Sequence, residues 1–231
     1  MKTPNITLLL VSLAAASCTS PRGFDRGALS QAVAPESIVT EEEIQRVAEL
    51  RPQLPRPFKL GVYFRQAESH HWSSTWTWLP EDKELFLRVG ESLKRQGVVA
   101  DTIFISPATS SDEELKSIRL AGARHGVEAV LVVSGVSDVD RYNNNLGPSY
   151  ALLVTALFVP GTVVDSMFVS HGALWDVRNG YLYASVEADG KSSATRPAAF
   201  AEEREVVLEA KAQSLSQLAE AVEVHVLNLG R

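Results

Sequence analysis

The sequence holds one thiol, Cys18 in "AAASCTS", two adjacent histidines, His70 and His71, in "SHHW", and a group of oxygen donors, Asp138, Asp140 and Asn143, in "DVDRYNN". Each could serve a metal ion or a reaction. Neighbouring histidines on an extended chain point to opposite sides, and neither H-E-x-x-H spacing nor a cysteine partner accompanies them, so they read as solvated loop residues. The acidic group lacks the glycine and the distal glutamate of a calcium loop. His125 and His171 read as a helix-end and a strand residue, the former favourable beside the negative end of a helix dipole. No G-x-S-x-G elbow, phosphate loop or G-x-G-x-x-G is present, which removes the commonest enzyme signatures. The expectation is therefore no catalytic residue, no metal site and no cofactor.

Three of the four tryptophans, Trp72, Trp76 and Trp78, fall within seven residues in "HHWSSTWTWLP". They read either as a lid folded back on the core or as a contact surface, since tryptophan joins a large apolar area to an N–H donor and is enriched in interface hot spots. A mixed outcome is expected, with one tryptophan anchoring the segment and two facing outward.

The setting of Cys18 is more specific. Lys2 supplies a positive start, Ile6 to Leu13 an apolar run, and Ala14 to Ser17 the small residues that a signal peptidase needs. The run is too short for a permanent membrane helix of about 20 residues. A buried cysteine would not explain this order, whereas "AASC" resembles a bacterial lipobox. Cys18 is then the first residue of the mature chain, with a diacylglycerol on its sulfur and an acyl chain on its amine. At about 0.8 kcal/mol per buried methylene, such chains anchor a protein firmly. Thr19 and Ser20, rather than aspartate, come after the cysteine, which favours the outer membrane, facing the periplasm, over the inner membrane. A net charge of -6 argues against nucleic acid or anionic lipid as a partner, since both need clustered Lys and Arg.

These residues need a frame. Residues 1–17 read as the signal peptide, 18–54 as a lipidated linker with one short helix, and 55–231 as a single globular domain. Within the linker, 19–39 is rich in Ser, Pro, Gly and Ala without period and reads as flexible. "TEEEIQRVAEL" has capping-box spacing at Thr40 and Glu43. The domain opens with the strand "KLGVYF". An amphipathic helix comes next in "PEDKELFLRVGESLKRQG", then a strand "VADTIFIS", a helix capped by Ser110 or Ser111 and stopped by Gly126, and a strand "VEAVLVVSGVSDV". "YALLVTALFVPG" reads as a buried central strand, being too short to span a bilayer. "VVDSMFVSHGALWDV" and "YLYASVEA" read as strands joined at Asn179 and Gly180. The chain is helical from about Pro197, with Leu208, Leu215, Val222 and Leu229 at seven-residue spacing and Lys211 interrupting the seam. That helix reads as core-packed, with a coiled coil as the alternative. The fold class is α+β, an α/β sandwich with a mixed sheet of five to six strands in the order β-α-β-α-β-β-β(-β)-α.

At "LPRPFKLGVYF", "GVEAVLVVSGV", "ALFVPG" and "ALWDVRNGYLYAS" the chain resembles the rhombotarget lipoproteins over most of 52–220. More distantly it is similar to the fold group of the curli-export lipoprotein, the N-terminal domain of TolB and the lipoprotein activators of peptidoglycan synthases. In that group a D-x-x-x-G hairpin links the last two strands, which corresponds here to Asp176 and Gly180. The resemblance implies a bacterial envelope lipoprotein in a fold used mostly to bind other proteins. Two departures stand out: "HVLNLGR" carries no sorting tail, so rhomboid-type processing is not carried over, and the mostly apolar strands with short connections argue against a pore. The expected function is a non-enzymatic, membrane-anchored accessory protein with an unknown periplasmic or outer-membrane protein as partner. The alternatives are a subunit of an envelope assembly or export complex, and an enzyme or metal-binding protein with an unrecognised site.

Overall fold

Apolar residues concentrated in "FKLGVYF" and "AVLVV" make two adjacent parallel strands that are covered on both faces, and the rest of the molecule is arranged around them. The computed structural model describes residues 20–33, 40–65, 76–151 and 153–229. In chain order these form α1 (Arg26–Val33), α2 (Glu41–Ala48), β1 (Phe58–Phe64), α3 (Pro80–Arg95), β2 (Val99–Phe104), α4 (Leu115–Arg124), β3 (Ala129–Asn143), β4 (Thr162–Asp176), β5 (Leu182–Arg196) and α5 (Glu203–Asn228). The sheet order is β2-β1-β3-β4-β5, parallel across the first three strands and antiparallel across the last three. This is the α+β mixed sheet expected from the sequence.

Helices cover both faces. Phe58, Leu60, Val62 and Phe64 alternate towards one side, where Phe86 and Leu93 of α3 and Leu215, Leu218 and Val222 of α5 close the main core. Tyr63, Val130 and Val132 face the other side, beneath Ile118 and Ala121 of α4. The core reading of the C-terminal helix holds, with ten buried positions along α5.

Four expectations need correction. The stretch read as flexible linker contains α1, whose Leu29 and Val33, four apart on one helical face, bury against Val136, Met167 and Val169 of the sheet. Its polar residues are docking contacts: Arg26 pairs with Glu187 at 2.8 Å and with Asp189 at 2.9 Å. Secondly, α4 starts at Leu115 rather than near Ser110, because Asp112 Oδ1 accepts the Glu114 N–H at 2.9 Å and Ser110 Oγ donates to the Asp112 carbonyl at 2.7 Å, holding the backbone in turns. Thirdly, "YALLVTALFVPG" is not a strand. Asn143 of β3 pairs directly with Thr162 of β4, so nothing between them has a partner strand, and the segment folds into 3₁₀ turns at Gly147–Ala151 and Leu153–Leu157. Tyr150 OH braces it, donating to the Val159 carbonyl at 2.9 Å and accepting the Gly161 N–H at 2.7 Å. Fourthly, the connections are not all short, since 144–161 separates two strands of 15 residues each.

Candidate interaction site

The chain leaves β1 towards β2 on one side of it and arrives at β3 on the other. Where connections diverge in this way, a crevice opens at the carboxyl ends of the strands. Arg65 stands at that point, just beyond β1, its N–H donating to the Val133 carbonyl at 2.8 Å. Its guanidinium Nη2 donates to the Glu113 carbonyl at 2.7 Å, and its Nε lies 3.9 Å from Glu113 Oε2. Tyr63 OH donates to Glu113 Oε1 at 3.3 Å, while Glu113 Oε2 is buried with no hydrogen-bond partner among the described residues. His171 of β4 faces the same side of the sheet and shares a hydrogen bond of 2.9 Å between its Nε2 and Ser185 Oγ.

Burial, reinforced by Glu113, pushes the Tyr63 phenol up to about 12, so it acts as a neutral donor. Burial also lowers the His171 imidazole from its ordinary value, with Glu187 opposing and Arg65 adding to the effect. A serine beside a neutral imidazole is half of a nucleophilic arrangement, but no acid holds the other ring nitrogen among the described residues. Tyr63 and Glu113 Oε2 are buried, so what this end of the strands presents is the partly exposed Arg65 guanidinium, held in place by Glu113.

The lowered His171 value has a measurable consequence. Between its folded and unfolded values the unfolded chain binds more protons, so this contribution to stability is complete above the ordinary histidine value and is lost as pH falls through it towards the folded value. Denaturant unfolding at about pH 7.5 and about pH 5 is expected to show a larger acid-induced loss in wild type than in His171→Gln. Equal losses would remove this histidine from the acid response.

On the opposite face, Trp76 and Trp78 close the main core. Trp78 packs 4.9 Å from the Phe64 ring and donates its Nε1–H to the Arg65 carbonyl at 3.0 Å, which ties this segment to the crevice. Trp76 stands edge-on to Phe168 and to Trp78, both at 4.8 Å. Under them lies Lys211 of α5, its Nζ donating to Asp82 Oδ2 at 2.6 Å and to the Thr77 carbonyl at 2.8 Å, and 5.9 Å from each tryptophan ring. Both tryptophans fold onto the sheet and are only partly exposed, so the expectation of one anchoring and two outward-facing tryptophans is corrected: Phe64 and Phe168 give each of this pair an aromatic surface to pack on. Cys18, His70, His71 and Trp72 lie outside the described residues.

The acidic group of "DVDRYNN" receives a cation from the chain itself. Arg22 Nη2 donates to Asp138 Oδ1 at 2.7 Å and to the Val139 carbonyl at 3.1 Å. The Arg22 and Gly23 N–H groups donate to Asp140 Oδ2 at 2.5 and 2.9 Å. The segment from Arg22 into α1 lines a cleft of about 460 Å³ against Val136–Asp138. Opposite charge at Arg22 and in "DVD" was visible in the sequence; the 116-residue separation that joins them was not.

Asp176 closes β4 and Gly180 lies in the turn that leads to β5. Asp176 Oδ1 accepts the Arg178 and Asn179 N–H groups at 2.8 and 3.3 Å, Oδ2 accepts Tyr183 OH at 2.8 Å, and Gly180 has φ of 76°. Tyr183 OH in turn accepts the Gln53 and Leu54 N–H groups, which fixes the chain ahead of β1. Tyr181 and Tyr183 stand edge to face at 5.0 Å in a second cleft of about 390 Å³ with Leu54, Arg56 and Leu229. His125 ends α4, as expected of a helix-end residue.

No family model matches the chain, and no curated protein matches it. Among solved structures, the chain is similar to the hypothetical protein CT253 from Chlamydia trachomatis, at 11% identity over 73% of this chain and 97% of that one, with a TM-score of 0.38. It is similar to a minor lipoprotein from Acinetobacter baumannii at 12% identity over 75% and 92%, TM-score 0.38. A third is the lipoprotein GNA1162 from Neisseria meningitidis, at 14% identity over 74% and 99%, TM-score 0.34.

Proposed function

We propose that the chain is a non-enzymatic lipoprotein of the bacterial cell envelope, anchored at Cys18 to the periplasmic face of the outer membrane, whose domain binds another protein there. The observation that carries the reading is the lipobox-like "AASC" together with the short distance from it to the folded domain: Arg22, four residues beyond Cys18, is fixed to Asp138 and Asp140 of the sheet. An anchor so close to the domain holds it against the membrane. The polar crevice at Arg65 and the aromatic cleft at Tyr181 and Tyr183 are the surfaces offered to a partner. The resemblance to rhombotarget lipoproteins points in the same direction.

Cys18→Ser is expected to abolish incorporation of a clickable fatty acid and to release the protein from the membrane fraction, because the chain has no other cysteine to carry a thioether-linked lipid. Label persisting on that variant would overturn the anchor. Affinity capture of the lipidated protein from detergent-solubilised envelopes, with Arg65→Ala beside wild type, identifies the partner; a protein lost with Arg65→Ala is the one the crevice holds. A second reading, a subunit of an envelope assembly, is favoured by the length of β3, β4 and β5, 15 residues each against 7 in β1 and 6 in β2.

A further inference from the structure

We propose that the end of the sheet marked by Asn143, Thr162 and Arg196 is a lipid-contacting face, seated in the same bilayer surface that receives the acyl chains of Cys18. The proposal rests on the anchor reading above. Asn143, Thr162 and Arg196 are paired in register, so the connections 144–161 and 197–202 leave the sheet at one level, and their turns at Leu153–Leu157 and Ala198–Phe200 touch. Four large apolar side chains are exposed there: Leu146 at 49%, Leu157 at 45%, Phe158 at 74% and Phe200 at 59%. Single exposed apolar residues are ordinary, but a group sharing one end of a molecule marks a contact surface.

Charge selects lipid as the occupant. No Asp, Glu, Lys, Arg or His occurs anywhere in 142–164 or in 197–201, in a chain that is 22% charged. Directly behind this uncharged cap stand Arg141 and Arg196, 43% and 38% exposed, each paired with a glutamate of α5, Glu203 at 3.7 Å and Glu205 at 2.7 Å, so the rim is polar without a net charge. Apolar and aromatic tips backed by arginines match the depth profile of a bilayer surface, with the guanidinium groups at headgroup level. No helix among the described residues is long and apolar enough to cross a membrane, so the contact is superficial.

The length of chain to the anchor leads to the same face. Asp140, which holds the Arg22 N–H, lies three residues from the end of β3, about 10 Å behind the cap. Cys18 is four residues before Arg22, a span of at most about 14 Å. The β4–β5 turn, at the other end of strands of 15 residues, is about 45–50 Å from the cap. Acyl chains on Cys18 therefore enter the bilayer beside the cap and far from the hairpin.

With Cys18 blocked by lipid, a second cysteine is the only free thiol in the protein. Full-length lipidated Phe158→Cys, Phe200→Cys and Arg178→Cys, each carrying the fluorophore NBD, would be reconstituted into phosphatidylethanolamine-rich vesicles with and without nitroxide-labelled lipid. Labels at 158 and 200 are expected to shift to shorter wavelength and to be quenched several-fold more than the label at 178. Water-like emission at 158 and 200 in protein that has incorporated the fatty-acid label would overturn the lipid face while leaving the anchor intact. Protein that takes up no fatty acid would overturn the anchor, and the lipid face with it. Shielding in whole envelopes but not in pure lipid vesicles would assign the cap to a protein and overturn the proposal.

Discussion

Asp82→Asn is expected to lower the unfolding free energy by about 3–5 kcal/mol, because it leaves the ammonium of Lys211 buried without its counter-charge. The Lys211 side chain is 1% exposed and that of Asp82 9%, and they meet at 2.6 Å under Trp76 and Trp78. Asp82 Oδ2 also accepts the Leu79 N–H at 2.7 Å, so the carboxylate both begins α3 and clamps it to α5. Lys211→Ala should cost a similar amount from the other side. The discriminating variant is the double substitution Asp82→Leu with Lys211→Met, which removes both charges and keeps apolar volume. It should recover most of the loss, since two desolvated charges are a weak net source of stability even where breaking one is costly. The measurement is denaturant unfolding of all four proteins, read from midpoints at constant slope. If Asp82→Asn and the double variant both stay within about 0.5 kcal/mol of wild type, the pair does not hold the helices together.

That ion pair shows where sequence reading reaches its end. The helical face of α5 was legible from Leu215, Leu218 and Val222, and Lys211 stood out as the residue that broke the pattern. Periodicity assigns a charged residue to solvent, and only the three-dimensional neighbourhood supplies Asp82, 129 positions earlier in the chain. The same reason governs Arg22 and "DVD". Parallel strands, the Asp176–Gly180 turn and the long terminal helix were readable because each is encoded within a few residues. Apolarity alone misled at 144–161, where a greasy segment with no partner strand became an exposed cap rather than a buried strand. Trp76 and Trp78 resolve as a lid because Phe64 and Phe168, from two different strands, provide the surface on which they fold.

The second large effect is expected where β5 meets α5. Gly190 lies against the backbone of the helix: a Cβ there would stand 2.1 Å from the Ala210 carbonyl oxygen and 2.7 Å from the Ser214 nitrogen. A flexible side chain could turn away from such a methyl group, but a helix backbone cannot. Gly190→Ala must therefore move α5 off the sheet. That displacement also loosens the buried hydroxyl bonds of this contact, Ser214 Oγ to the Ala188 carbonyl at 3.0 Å and Ser214 to Ser170 at 2.6 Å. The expected cost is about 3 kcal/mol or slightly more, the upper part of the range for overpacking. In a chain of this size that corresponds to a fall in Tm of about 6–12 °C. Gly97→Ala is the control: its φ is 70° but nothing lies within 4 Å of the added carbon, so only local backbone strain of about 1–2 kcal/mol applies. Because Lys211 is the neighbour of Ala210, a displaced α5 has already weakened the Asp82 contact. Gly190→Ala combined with Asp82→Asn should accordingly lose less than the sum of the two single losses, by more than about 0.5 kcal/mol. Full additivity would show that the glycine contact and the ion pair act on α5 independently, and a Gly190→Ala variant as stable as Gly97→Ala would show that the helix does not sit on the strand at this distance.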